Sequence, residues 1–89
     1  MFFELLRRGY EVTIGNIGDK EIDFIAVRNT QKIYIQVTYL METLKTRERE
    51  FSSLNMIRDQ YPKYVLSLDE VNFSQQGIQH KNIIDFLLE

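Results

Sequence analysis

The sequence predicts an α/β (α+β) domain, a mixed sheet flanked by helices in the order α-β-β-β-α-β with a short C-terminal strand and helix. Three observations predict it. Glu21 to Val27 and Ile33 to Thr38 are rich in β-branched and apolar residues and flank a polar break, which is the pattern of a β-hairpin. Thr43 to Gln60 carries apolar residues at helical spacing and stops before Pro62, which forbids continuation. Lys63 to Leu68 is a further strand, and because it is reached through a helix it pairs parallel to one of the earlier strands. At 89 residues and 44% hydrophobic content, residues 1–89 make one small domain near the size where burial only just exceeds chain entropy.

The elements follow in chain order. Phe2, Phe3, Leu5 and Leu6 have helical spacing and Gly9 suits the helix end, but no residue before Phe2 can cap the start. The uncapped start predicts that Met1 is not the natural beginning of the folding unit, which would then be the C-terminal part of a longer protein. Tyr10 to Asn16 alternates as a strand, and Gly15-Asn16-Ile17-Gly18-Asp19 reads as a turn into the Glu21 strand, completing a three-strand meander.

A hairpin loop centred on Asn29-Thr30 sets the pairing of the next two strands. Val27 then faces Lys32, Ile25 faces Tyr34, Asp23 faces Gln36 and Glu21 faces Thr38. On the other side Ala26 pairs with Ile33, Phe24 with Ile35 and Ile22 with Val37. A one-residue slip would mix polar and apolar side chains on both faces. The register puts the Cβ atoms of Asp23 and Gln36 roughly 5 Å apart.

In the long helix Leu44, Phe51, Leu54 and Arg58 lie near one face, with Thr43 as cap. Asp69 to Gly77 is a polar loop and Ile78 to Lys81 a short edge strand. Asn82 caps the final helical turn, with Asp85 three residues on.

Composition removes several function classes. Without cysteine there is no disulfide framework and no thiolate metal site. A net charge of -2 does not indicate a strongly basic nucleic-acid binder, so any such role needs a local patch. No apolar run approaches the ~20 residues of a membrane span, and Met1-Phe2-Phe3-Glu4 lacks the basic start of a signal peptide. These features predict a cytoplasmic chain with no membrane partner. His80 is the single histidine, which argues against zinc, and by spacing it has no serine nucleophile partner. It reads as decoration of the edge strand. Tyr10, Tyr34, Tyr39, Tyr61 and Tyr64 are scattered, which suits packing better than a base-stacking platform.

Lys45, Arg47 and Arg49 cluster at the start of the long helix, where the helix dipole disfavours positive charge. They fit either contact with nucleic-acid phosphate or a solvated helix start, ion-paired with the interleaved Glu42, Glu48 and Glu50.

The order of elements, with Glu4 in the first helix, Asp23 in the second strand and Gln36-Val37-Thr38 in the third, resembles the restriction-endonuclease-like PD-(D/E)XK nuclease superfamily. It is most similar to the C-terminal domain of unknown function of prokaryotic AAA+ ATPases. The matching pieces are Glu4 to Tyr10, Glu21 to Ala26, Tyr34 to Val37, Arg47-Glu48, Tyr61 to Tyr64, Gly77-Ile78 and Asn82 to Leu88. That resemblance implies an N-terminal ATPase module, in cis or in trans. No Gly-rich phosphate loop ending in Lys-Ser or Lys-Thr occurs in this chain, so the ATPase function lies outside it.

In active nucleases of that superfamily an acid on the second strand and another on the third hold Mg²⁺, and a Lys two residues later orients water. The cation neutralises the transferring phosphate and generates hydroxide, and Mg²⁺ demands hard oxygen ligands. The matching positions here are Asp23, Gln36 and Thr38. Gln36 offers a neutral carbonyl oxygen and Thr38 no positive charge. If the site were active, Asp23 and Glu4 would be its metal-binding carboxylates. As a structural residue Asp23 would instead accept hydrogen bonds from Gln36 and Thr38.

Three functions are compatible with these residues. One is a catalytically degenerate accessory domain of an AAA+ type ATPase that contacts nucleic acid or a protein partner. Another is a weak metal-dependent nuclease using Glu4, Asp23 and Gln36. The third is a homo-oligomerisation domain, because Phe2, Phe3, Leu5 and Leu6 exceed what so small a core can cover.

Overall fold

Apolar side chains on both faces of a sheet require cover on both sides, and the chain provides it with helices before, between and after its strands. The structure, a computed structural model, describes residues 1–89 apart from Gly18, Asp19, Glu42 and Gln76, together with the side chains of Ile17 and Lys20. The elements are α1 (Phe2–Arg7), β1 (Glu11–Ile17), β2 (Lys20–Arg28), β3 (Gln31–Val37), α2 (Leu44–Asn55), β4 (Lys63–Ser67), β5 (Gln79–Asn82) and α3 (Ile83–Leu87). The strands form one five-stranded sheet in the order β1-β2-β3-β4-β5. The β1–β2 and β2–β3 pairs are antiparallel, and β4 adds parallel to β3 and β5 parallel to β4. The α+β class and the mixed sheet read from the sequence are the observed ones.

Two cores sit on opposite faces. Under α2 lie Ile22, Tyr34, Met41, Phe51, Leu54, Val65 and Ile78. Under α1 and α3 lie Leu5, Ala26, Ile33, Ile35, Leu66 and Phe86. Each fully buried aliphatic or aromatic side chain contributes about 1.5–3 kcal/mol.

The hairpin closes at Arg28↔Gln31 over the two-residue loop Asn29-Thr30, and the expected register holds from Val27↔Lys32 to Phe24↔Ile35. Asn29 adopts φ 56, a left-handed conformation that Asn tolerates better than most residues. Against β1 the partners run Thr13↔Ile25 and then Gly15↔Ile22, so β2 carries one extra residue there. This bulge corrects the expected Ile22 and Val37 pair, because Ile22 is turned to the α2 face beside Ile25. Gly15 makes the room, since a Cβ there would stand 2.2 Å from Ile25 Cδ1. Gly15 to Ile17 are strand, not the expected turn, and Gly18 and Asp19 of that turn lie outside the described residues.

The α2 helix begins as predicted, with Thr43 Oγ1 accepting from Thr46 N at 3.2 Å. It ends at Asn55 instead of Gln60. Bonds from Met56 N to Ser53 O and from Ile57 N to Leu54 O tighten the last turn. Asp59 then offers the backbone an alternative to helix, its Oδ1 accepting from Tyr61 N at 3.0 Å. Leu44, expected on the buried face, is 63% exposed. The edge strand starts one residue later than read, because Ile78 enters the α2-side core. Asn82 caps α3 as expected, with Oδ1 accepting from Ile84 N and Asp85 N. Among the described residues no helix is long and apolar enough to cross a membrane.

Candidate functional site

The β2 and β3 ladder stops at Phe24↔Ile35, one step short of the expected Asp23 and Gln36 pair. Side chains take over where the backbones part. Gln36 Oε1 accepts from Asp23 N at 2.6 Å, and Gln36 Nε2 donates to Glu21 O at 3.2 Å. In return Asp23 Oδ2 accepts from Val37 N at 2.9 Å. Each side chain therefore satisfies the other strand's backbone. The bulge in β2 supplies the reason, since an extra residue leaves main-chain groups out of step with the ladder. Gln36 is buried, so both ends of its amide need partners and both have them.

Sequence reasoning brought Asp23 and Gln36 together correctly, but the bonds differ from those expected. The donor to the Asp23 carboxylate is Val37 N. Thr38 lies just past β3, its N–H donates to Leu66 O at 2.9 Å, and no hydrogen bond joins it to Asp23 among the described residues.

Glu4 does not join the site. Its carboxylate accepts from Arg7 Nη2 at 2.7 Å and Arg8 Nε at 2.6 Å. Those hydrogen bonds, from Arg7 first and then Arg8, hold its pKa down at about 2. Arg8 in turn donates to Phe86 O at 2.8 Å and lies 4.6 Å over the Phe86 ring, so Glu4 belongs to the junction of α1 with α3.

Glu50 is the residue that sequence reasoning read as surface charge and the fold draws inward, with a side chain only 12% exposed. Burial pushes its carboxyl up; the Arg49 guanidinium at 3.4 Å opposes this, and the charge of Asp23 adds to it. The available signal was its place beside Phe51 and one turn before Leu54, on the flank of the buried stripe.

These donors do not suit Mg²⁺. Gln36 Oε1 and Asp23 Oδ2 are already engaged by backbone N–H groups, and Glu50 is drawn into the fold beside the Arg49 guanidinium. Among the described residues no group of three or more His, Asp or Glu is arranged to hold a metal ion. The expected Asp23 and Glu4 metal pair is therefore not assembled. Lys45, Arg47 and Arg49 do not converge either. Arg47 lies 4.7 Å over the Phe73 ring, Arg49 pairs with Glu50, and Lys45 is exposed. Glu42, one of the acids expected among them, lies outside the described residues.

His80 is not edge decoration. It is buried against Ser67 and Asp69, a cluster that spacing alone did not suggest. Parallel pairing of β4 with β5 places Val65 opposite His80, and Ser67 follows two residues on. Ser67 Oγ lies 2.6 Å from both Asp69 Oδ2 and His80 Nε2. Its single proton goes to the carboxylate, which cannot donate, so Nε2–H donates to Ser67. Nδ1 agrees with this tautomer by accepting from Phe73 N at 3.0 Å. A serine nucleophile needs the opposite wiring, with Nε2 accepting from the hydroxyl and the carboxylate at Nδ1. The cluster is a latch on the 69–78 loop, and Asp69 also accepts from Met41 N at 2.7 Å. Burial pushes His80 below its ordinary pKa, against the pull of Asp69 and of a hydrogen bond to the Val71 backbone.

An uncharacterized protein of Haemophilus influenzae aligns with the whole chain, 34% identical over 90 residues. The chain spans 22% of that protein's length. No protein-family model matches the chain, and no solved structure matches it.

Proposed function

We propose that this domain is a catalytically inactive, nuclease-like accessory module of a longer cytoplasmic protein, working beside an AAA+ type ATPase module and contacting nucleic acid or a protein partner. The observation that carries the reading is the reciprocal clasp of Asp23 and Gln36. At the two strand positions where a nuclease of the resembled superfamily would hold its metal, these side chains bond backbone instead. The whole-length alignment with a much longer relative supports a place within a larger chain. The test is cleavage of single- and double-stranded DNA and RNA with Mg²⁺ or Mn²⁺, with Asp23→Ala beside the parent. No cleavage is expected from either. Cleavage by the parent that disappears in Asp23→Ala would establish the alternative, a weak metal-dependent nuclease.

Self-association is a second reading with its own observation. Phe3 is 81% exposed, with Phe2 at 42% and Leu6 at 43% on the same helix. Light scattering across concentrations tests it, and a strict monomer removes it.

A further inference from the structure

The tyrosines that look scattered in the sequence are gathered by the fold. Tyr10, Tyr61 and Tyr64 line a groove of about 340 Å³ together with Lys32 and Pro62, between the β2–β3 turn and the start of β4. Tyr61 is 42% exposed. Lys32 Nζ lies 5.9 Å from the Tyr61 ring and 5.1 Å from that of Tyr34, and the Arg28 guanidinium lies 4.6 Å over Tyr10. Among the described residues Lys32 forms no ion pair, whereas Arg28 lies outside the groove lining and its Nη1 donates to Arg8 O at 2.9 Å. The nearby acid, Asp59, is already engaged by Lys63 Nζ at 3.2 Å, by Tyr61 N and by the Tyr34 hydroxyl. Among the described residues no carboxylate lines the groove, so it is locally positive on a chain whose net charge is -2.

We infer that this groove holds an unstacked nucleotide of a single-stranded nucleic acid, the base against the tyrosine rings and the phosphate on Lys32. Tyrosine rings beside a lysine that forms no ion pair match the two needs of such a strand, stacking and phosphate neutralisation. A duplex keeps its bases stacked and offers the rings nothing. An acidic peptide would use Lys32 but leave Tyr10, Tyr61 and Tyr64 without a role. The groove lies at the turn end of the β2–β3 hairpin, away from the Asp23 and Gln36 clasp at the opposite end of the ladder. The inference rests on the accessory role proposed above and names its partner.

The experiment is fluorescence anisotropy of a labelled single-stranded oligothymidylate in EDTA and low salt, with the matching duplex and thymidine monophosphate as competitors. Binding is expected to weaken with salt, with a log–log slope of about -0.7 for the one phosphate neutralised. Tyr61→Ala should weaken it about five-fold or more, the loss of one stacked ring, while Tyr61→Phe retains it. Lys32→Ala should weaken it and reduce the salt slope. Amide shifts on titration of the parent should centre on Tyr10, Lys32 and Tyr61, a readout that needs no variant. Absence of binding, unchanged binding in Tyr61→Ala and Lys32→Ala, equal competition by duplex, or shifts centred on Lys45 to Arg49 would each overturn the inference. None of these outcomes touches the claim of inactivity, which only cleavage with Mg²⁺ or Mn²⁺ decides.

Discussion

Asp23 and Gln36 each complete the other's strand: Gln36 Oε1 takes the Asp23 N–H at 2.6 Å, and Asp23 Oδ2 takes the N–H of Val37, the residue after Gln36, at 2.9 Å. Removing either side chain leaves a backbone donor on a half-buried strand end without its partner. Asp23→Ala should therefore cost about 1–3 kcal/mol, and Asp23→Asn, which keeps an acceptor oxygen, should cost less. Urea unfolding of the three proteins checks this. Equal stability of parent and Asp23→Ala would show that the clasp contributes nothing, and would reopen Asp23 as a group held for chemistry.

Glu50 yields a prediction of opposite sign. Its folded carboxyl titrates above its ordinary value of 4.5, chiefly because of burial. The native state thus holds that proton more tightly than the unfolded chain, and stability falls as pH rises above the unfolded value. Glu50→Gln should raise the melting temperature at pH 7, with the gain shrinking toward zero below about pH 4. A variant no more stable than the parent at neutral pH would mean that Arg49 compensates the buried charge in full.

The hairpin was legible as far as Phe24 and Ile35 because alternation of side chains is a local property of two adjacent segments. The step beyond was not, since the parity change at Ile22 depends on the extra residue that β2 carries against β1. The end of α2 at Asn55, where Met56 N and Ile57 N tighten the last turn and Asp59 then holds Tyr61 N, is a choice helical periodicity does not register. Ser67 and His80 meet only because β5 lies parallel to β4, and the tyrosines of the groove meet only across the hairpin turn and the start of β4. Long-range register is what the sequence pattern left out, and both the latch and the groove depend on it.

Gly15 tests the bulge directly. A Cβ there would come within 2.2 Å of Ile25 Cδ1 and 3.1 Å of its Cγ1, so Gly15→Ala should cost about 1–3 kcal/mol by displacing a side chain packed on the α2-side core. Ile25→Val removes the Cδ1 atom. The double variant Gly15→Ala with Ile25→Val should recover part of the loss, giving a favourable coupling energy in a double-mutant cycle. Simple additivity of the two changes would place the cost of the alanine elsewhere in β1.

The latch on the 69–78 loop makes stability depend on pH through His80. In the native state Nδ1 accepts from Phe73 N and Nε2–H donates to Ser67, so both nitrogens are engaged in the neutral form. A proton added at Nδ1 would displace the Phe73 N–H, and burial penalises the charge, although Asp69 pulls the other way. The folded value therefore lies below the ordinary 6.5, and as pH falls the unfolded chain takes up the proton first. The contribution is present in full above the unfolded value and is lost as pH falls from there through the folded value. The urea midpoint should drop between pH 7.5 and pH 5, and Ser67→Ala, which leaves His80 Nε2–H and Asp69 N–H without the oxygen they donate to, should cost about 1–3 kcal/mol. His80→Gln should be less stable than the parent at pH 7.5 and show a flatter profile, with the difference narrowing toward pH 5. A parent profile as flat as that of the variant would show that His80 binds its proton equally in both states.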